Sequence, residues 1–265
     1  WALKDISFEL RRGEFLGIAG HTGSGKSTLL QHMNGLLQPS RGRVLVCGED
    51  LADKKAAAAA KARIGIVFQY PERQLFANTV FDDVAFGPRN LGLSGDEVEA
   101  RVHESLSRVG LSIDDLREMS PFELSGGQQR RVAFAGVLAM NPEALVLDEP
   151  VAGLDPVARR EFLDLIAQLH KQGTTVVMVS HSMDDLAAMC DCVVVLKEGE
   201  IVRQGTPAHV FMHAAKLNEI GLGLPAPQRM AYALIDAGAP LSADMLYSID
   251  SLAAEIAAIT KGGTR

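Results

Sequence analysis

Nine residues constrain this chain more than any others: Gly20-His21-Thr22-Gly23-Ser24-Gly25-Lys26-Ser27-Thr28, with the spacing G-x-x-x-x-G-K-[ST]. They follow the apolar run Phe15-Leu16-Gly17-Ile18-Ala19, which reads as a buried strand. They precede Leu29-Leu30-Gln31-His32-Met33-Asn34, which reads as the start of a helix. A strand, a glycine-rich loop and a helix in that order gather inward-pointing N–H groups and the positive end of a helix around one point, where a polyphosphate fits. Gly20, Gly23 and Gly25 permit the curl, Lys26 is the group to reach the β- and γ-phosphates, and the Ser27 hydroxyl suits Mg²⁺. A turn that merely capped a helix would have no use for Lys-Ser at this offset, so ATP or GTP binding is the expectation.

Composition narrows the rest. The chain has 265 residues, 47% of them hydrophobic and 22% charged, enough for one large globular domain or for one domain and a small appendage. A formal charge of -7 argues against a nucleic-acid surface as the main business. No apolar run approaches the roughly 20 residues needed to span a bilayer, and no signal-peptide pattern is present, so a membrane role is expected to go through a partner. Cys47, Cys190 and Cys192 are sparse and odd in number, which suits a reducing cytoplasm and structural roles. Because the chain opens at Trp1 rather than at methionine, further natural sequence is expected upstream.

Residues 6–10 and 15–18, separated by Arg11-Arg12-Gly13-Glu14, read as a hairpin leading into the loop. Residues 43–46 read as a strand. The alanine run of residues 54–63 reads as a helical turn or a loop and is given no function. Residues 64–68 form a buried strand ending at Gln69, followed by Tyr70-Pro71-Glu72-Arg73-Gln74-Leu75-Phe76, too polar and Pro-interrupted for core. From Thr79 to about Val109 the pattern is helical, with Ser94 and Glu97 as a capping box. A second glycine-bearing segment, Leu124-Ser125-Gly126-Gly127-Gln128, then enters a helix ending near Met140.

The next strand, Ala144-Leu145-Val146-Leu147-Asp148-Glu149, ends in two carboxylates before Pro150. Beside a phosphate loop, Asp148 is placed to support Mg²⁺ through water, and Glu149 to orient or deprotonate a water attacking the γ-phosphate. The plainer reading is an acidic cap. A helix is expected after Leu154-Asp155-Pro156, running through Lys171, then a buried strand ending at His181, where a parallel sheet presents its ligand-binding edge. Strands at residues 192–196 and 200–202 and a helix capped by Thr206 with Pro207 follow. Two helices, residues 228–237 and 242–260, form the tail.

The ordered set Gly20 to Thr28, Gln69, Leu124 to Gln128, Leu145 to Glu149, Leu154-Asp155 and His181 resembles the ATP-binding-cassette ATPases over residues 1 to about 205. The resemblance implies an α/β fold: a RecA-like P-loop NTPase core with an antiparallel β subdomain, an inserted helical subdomain at about 79–140 and a C-terminal helical extension at 206–265. It implies ATP and Mg²⁺, with Lys26, Gln69, Glu149 and His181 as catalytic groups, Gln69 and His181 sensing the γ-phosphate, and Ser27, Gln69 and Asp148 at the metal. Two cassettes would pair head to tail, each ATP held between Gly20 to Thr28 of one and the Leu124 to Gln128 segment of the other, with Ser125, Gly126, Gly127, Gln128 and Asp155 among the nucleotide-binding residues. Ser125 and the Gly126-Gly127 backbone at a helix start suit a second anion. Val151 departs from the small hydroxyl residue common at that place in the family.

Finer features resemble the energy-coupling-factor importers of vitamins and metal ions, nearest to the second ATPase of the heterodimeric pair. These are Gln31 to Leu37, Pro71 to Phe76, Phe86-Gly87-Pro88, Ser120 to Glu123 and the tail with Leu222-Gly223-Leu224-Pro225. That branch implies a second ATPase, a transmembrane coupling protein docking near Gln74, Leu75, Phe76, Val80 and Phe81, a membrane substrate-binding subunit reached indirectly, and a place on the cytoplasmic face of the membrane. The extension would help to pair the ATPases. The adenine-stacking aromatic would lie upstream of Trp1. A cassette for another transporter class stays open; a DNA-associated cassette would need long heptad arms between Gln69 and Leu124, which are not there.

Overall fold

The computed structural model describes residues 1–212, 217, 221–241 and 247–262. In chain order they form β1 (Phe15–Gly20), α1 (Lys26–Met33), the short strands β2 (Leu45–Val46) and β3 (Glu49–Asp50), α2 (Lys54–Arg63), β4 (Ile64–Val67), α3 (Val80–Asn90), α4 (Gly95–Arg108) and α5 (Ile113–Leu116). Then come α6 (Gly126–Ala139), β5 (Ala144–Asp148), α7 (Pro156–Lys171), β6 (Thr175–Val179), α8 (Met183–Met189), β7 (Cys192–Lys197), β8 (Glu200–Gly205) and α9 (Pro207–Phe211). Two tail helices follow, Ala226–Asp236 and Ile249–Gly262. The chain divides into two compact units, Ser27–Val177 and Trp1–Lys26 with Met178–Arg265.

In the first of these, β4 and β5 pair in parallel, with Ile64 opposite Ala144 and Val67 opposite Leu147. Parallel pairing brings both strands to the same edge, where Gln69 and Asp148-Glu149 leave. Leu145, Val146 and Leu147 are buried, as a strand covered on both faces requires. Gly65 lets α6 lie close against β4: a Cβ there would stand 2.5 Å from a methyl of Val137 and 3.2 Å from the Pro142 ring. The helices α3, α4 and α6 pack on one another, and Val80, Val84, Val102, Leu106, Phe134 and Leu138 along them are all buried. The capping box of Ser94 and Glu97 is made in full, and Asp53 accepts from the N–H groups of Lys55 and Ala56. That cap, together with alanine's high helix propensity, turns the low-complexity run into α2.

In the other unit β1 is buried along its whole length and pairs in parallel with β7, Leu16 opposite Cys192 and Gly20 opposite Leu196. The β7–β8 pair is antiparallel. The start of the tail is tied down by polar contacts: the Ala226 N–H donates to Asp184 at 2.6 Å, and the buried Gln228 side chain donates to the Phe211 carbonyl at 2.8 Å. The two tail helices share a small core of Ala231 and Leu252, with Tyr232, Ile235, Leu241 and Ile256 packed against it.

Three expectations need correction. Residues 6–10 form no strand: Ile6, Phe8 and Leu10 alternate as half-buried side chains, but no ladder runs beside them among the described residues. Alternation tells which side faces inward, not whether a neighbouring strand is there to bond. Leu75 and Val80, expected on an exposed docking surface, are buried at 6% and 0% exposure, whereas Phe76 is 59% exposed. Both are apolar positions flanking the start of α3, and they close its core rather than face outward. The last helix, expected from residue 242, begins at Ile249 after Tyr247 and Ser248; residues 242–246 lie outside the described residues.

Candidate nucleotide site

In the unit that contains β1, the strand delivers its C-terminal end directly into the glycine-rich loop. Gly20 has φ 153° and almost no room: a Cβ would sit 2.5 Å from both the Leu196 carbonyl and the Ser24 hydroxyl. The loop closes on itself by a Ser24 N–H bond to the His21 carbonyl at 3.1 Å. The Lys26 ammonium turns back over it, donating to the carbonyls of Gly20 and His21 at 2.7 Å each. Ser24 is buried, and its hydroxyl oxygen has no hydrogen-bond partner among the described residues. A loop with a buried cation and an unmet hydroxyl fits a phosphate anion, which would supply the missing partner. The Ser180 N–H donates to the Ile18 carbonyl at 3.3 Å, so His181 leaves its strand level with the end of β1, exposed.

In the other unit the acidic strand and the first residue after the lysine meet. The Ser27 hydroxyl donates to Asp148 Oδ2 at 3.0 Å. A hydroxyl and a carboxylate held together at the end of a parallel strand are a donor set that suits Mg²⁺, an ion bound through oxygen. Glu149, next along, has φ 49°, the left-handed region that side-chain-bearing residues seldom occupy. Such a conformation costs about 1–3 kcal/mol and persists where surrounding structure enforces it, typically at functional sites. Tyr70 has φ 58° and directly follows Gln69, which is exposed at the matching end of β4. Both strained residues therefore adjoin or belong to the expected machinery.

The second glycine-bearing segment opens α6. Ser125 and Gln128 make a complete capping box, the Ser125 hydroxyl donating to Gln128 Oε1 at 2.9 Å and the Gln128 N–H to the Ser125 hydroxyl at 3.4 Å. Gly126 and Gly127 are exposed, and a Cβ at either would meet nothing within 4 Å. The start of this helix is open to an incoming group. Asp155 Oδ1 accepts from the N–H groups of Val157 and Ala158 and so caps α7.

One pair went without a role in the sequence reading. Arg130, 3% exposed on α6, forms a bidentate ion pair with Glu72, Nε to Oε2 at 3.0 Å and Nη2 to Oε1 at 3.1 Å. Burial, the largest single influence on Glu72, pushes its carboxyl up; the Arg130 hydrogen bond, its own backbone amide and the charges of Arg130 and Arg73 outweigh that and hold it below the ordinary value. A signal was available: Arg130 shares the i, i+4, i+8 face of α6 with Phe134 and Leu138, and a cation on an apolar face needs a partner.

The ABC transporter family model matches residues 3–152. The chain is 54% identical over 254 residues to the energy-coupling factor transporter ATP-binding protein EcfA2 of Symbiobacterium thermophilum, covering 96% of this chain and 88% of that one. It is 48% identical over 264 residues to the EcfA2 of Clostridioides difficile, at 98% and 91% coverage.

The chain belongs to the ABC transporter ATP-binding proteins, in their energy-coupling factor branch.

Among solved structures of the family, cbiO1 from Clostridium perfringens, part of the ABC transporter complex cbiONQ, superposes with a TM-score of 0.74 at 40% identity over 88% of this chain and 92% of that one. The dimeric bacterial ABC cassette MJ0796 gives 0.69 at 32% identity over 78% and 90%. An ABC ATPase of this branch hydrolyses ATP, and its α/β fold with parallel strands agrees with the sequence expectation. No helix among the described residues is long and apolar enough to cross a membrane.

Proposed function

We propose that this chain is one ATPase of an energy-coupling factor importer, pairing head to tail with a second ABC ATPase to drive uptake of a vitamin or a metal ion through membrane subunits on whose cytoplasmic side it sits. The observation that carries the site is the Ser27–Asp148 contact at 3.0 Å, one residue on from a lysine folded over the glycine-rich loop. Lys26 exchanges its loop carbonyls for phosphate oxygens when ATP binds, and the loop N–H groups and Ser24 hold the anion. Mg²⁺, held by Ser27, Asp148 and Gln69, would neutralise charge on the phosphates. Glu149 takes the proton of the attacking water; Gln69 and His181 contact the γ-phosphate. The open start of α6, with Ser125, Gly126, Gly127 and Gln128, meets the ATP of the partner, and Asp155 at the start of α7 also serves the nucleotide.

Domain roles follow the sequence division: residues 1–205 as the nucleotide-binding domain, about 79–140 as its helical subdomain, and 206–265 as the pairing extension. The coupling protein docks around Gln74, Phe76 and Phe81, beside Phe86; Leu75 and Val80 support that surface from beneath. Phe76 and Phe86 meet edge to face at 4.9 Å and are both exposed.

The test is Glu149→Gln. Loss of a general base lowers turnover by about 10²–10⁴-fold, so the variant should bind ATP with unchanged Kd, hydrolyse it at a small fraction of the normal rate and accumulate as an ATP-dependent dimer on size exclusion. Fast turnover by this variant would sink the assignment.

A further inference from the structure

We infer that Arg130 is a positioning residue for hydrolysis, a single buried guanidinium that holds the segments carrying Gln69 and Glu149 in register; the inference rests on the reading of those two residues given above. Two arms of the side chain grip Glu72, three residues beyond Gln69. The third, Nη1, donates to the carbonyl of Ala152 at 2.8 Å and reaches that of Pro150 at 3.5 Å, the residues just beyond Glu149. One side chain on α6, the helix capped by Ser125, thus binds the chain downstream of both strained residues.

The strain gives this contact its meaning. Tyr70 and Glu149 are held at φ 58° and 49°, and neither conformation is one a tyrosine or a glutamate adopts freely. The Tyr70 ring lies between the two segments: the Arg130 guanidinium is 6.0 Å from its centroid, and a Cβ on Gly153 would meet its edge at 3.5 Å. Lysine cannot replace this arrangement. Its ammonium is one point charge, whereas the planar fork satisfies a carboxylate bidentately and still has N–H groups for two carbonyls. Glu72, kept ionised, makes the grip charge-assisted.

The experiment measures steady-state ATPase activity of the full-length chain in its assembled transporter, with ATP affinity measured separately. Arg130→Lys keeps the buried charge and should lower kcat by about tenfold or more while ATP KM and Kd move less than about threefold, because positioning acts on the reacting geometry and not on binding. Glu72→Gln, nearly isosteric, should lower kcat as well, and the double variant should lose less than the product of the two, the mark of one shared unit. Wild-type kcat in Arg130→Lys, or a loss that appears entirely as weaker ATP binding, overturns the role. Should Arg130→Lys not assemble, wild-type kcat in Glu72→Gln overturns it equally. Glu149→Gln run alongside separates the two failures: normal hydrolysis there overturns the reading of the site, while lost hydrolysis there with normal Arg130→Lys overturns only Arg130.

Discussion

Asp148 closes the strand whose apolar residues hold it in place, and its side chain accepts from the Ser27 hydroxyl. A hydrogen bond to a hydroxyl needs no charge; support of a divalent cation does. Asp148→Asn should therefore keep the Ser27 contact and metal-free nucleotide binding while raising the Mg²⁺ concentration for half-maximal hydrolysis by about tenfold, the scale of one lost charge interaction in a partly screened site. A titration of ATPase activity against Mg²⁺ reads this directly, and an unchanged curve would remove Asp148 from the metal. At this scale the sequence was highly legible. The loop, the acidic pair and the second glycine segment are short-range patterns whose spacing is itself the chemistry. Arg130 and Glu72 were not, because their partnership spans 58 residues and no local pattern joins them.

Among the elements, α3 shows how a surface is sorted from a core. Thr79 caps it, accepting from the Asp82 N–H, and Asp82 and Asp83 sit in its first turn, where negative charge suits the helix dipole. Val80, Val84 and Ala85 turn inward; Phe86 turns outward to meet Phe76. The Phe76 N–H, and that of Ala77, donate to Asp83, which pins the approach to the helix and holds Phe76 out. Phe81 lies between, half-buried, with the guanidinium of Arg117 4.1 Å from its ring centroid. If this face receives the coupling protein, Phe76→Ser should weaken recovery of that protein with the tagged ATPase by a hot-spot-sized amount, about 2 kcal/mol or roughly thirtyfold in affinity, leaving ATP binding intact. Undiminished recovery would place the docking elsewhere. Helix positions and caps were readable beforehand because capping boxes and periodicity are local. The burial of Leu75 before the helix and of Val80 at its start was not, since it is decided by tertiary packing around α3, which sequence spacing does not encode.

The whole molecule carries its acid sensitivity in paired carboxylates. Glu99 is held below its ordinary value by hydrogen bonding to Arg117, Glu97 by the Ser94 amide, Asp82 by Arg89, and Glu72 as described. Groups depressed in the folded state bind fewer protons there than when unfolded, so their stabilisation is complete above the ordinary values, 4.5 for glutamate and 3.8 for aspartate, and is lost as pH falls through the folded ones. The denaturation midpoint should be flat near neutrality and fall below about pH 4.5, with a shallower fall in Glu72→Gln. A midpoint that instead rose on acidification would contradict the sign of every one of these shifts.

The capping box at the start of α6 has a further consequence. Ser125 and Gln128 already satisfy each other, so at that helix start a solitary subunit leaves the Gly126 and Gly127 backbone open while its Ser125 hydroxyl is already engaged. A foreign phosphate that takes the Ser125 hydroxyl must displace the Gln128 carboxamide, which makes that part of pairing a swap of hydrogen bonds and not a gain of them. Swaps of that kind run close to even in free energy. Small differences in what the other subunit offers, three phosphates or two, can then tip the balance either way, and the clasp can open as readily as it shuts.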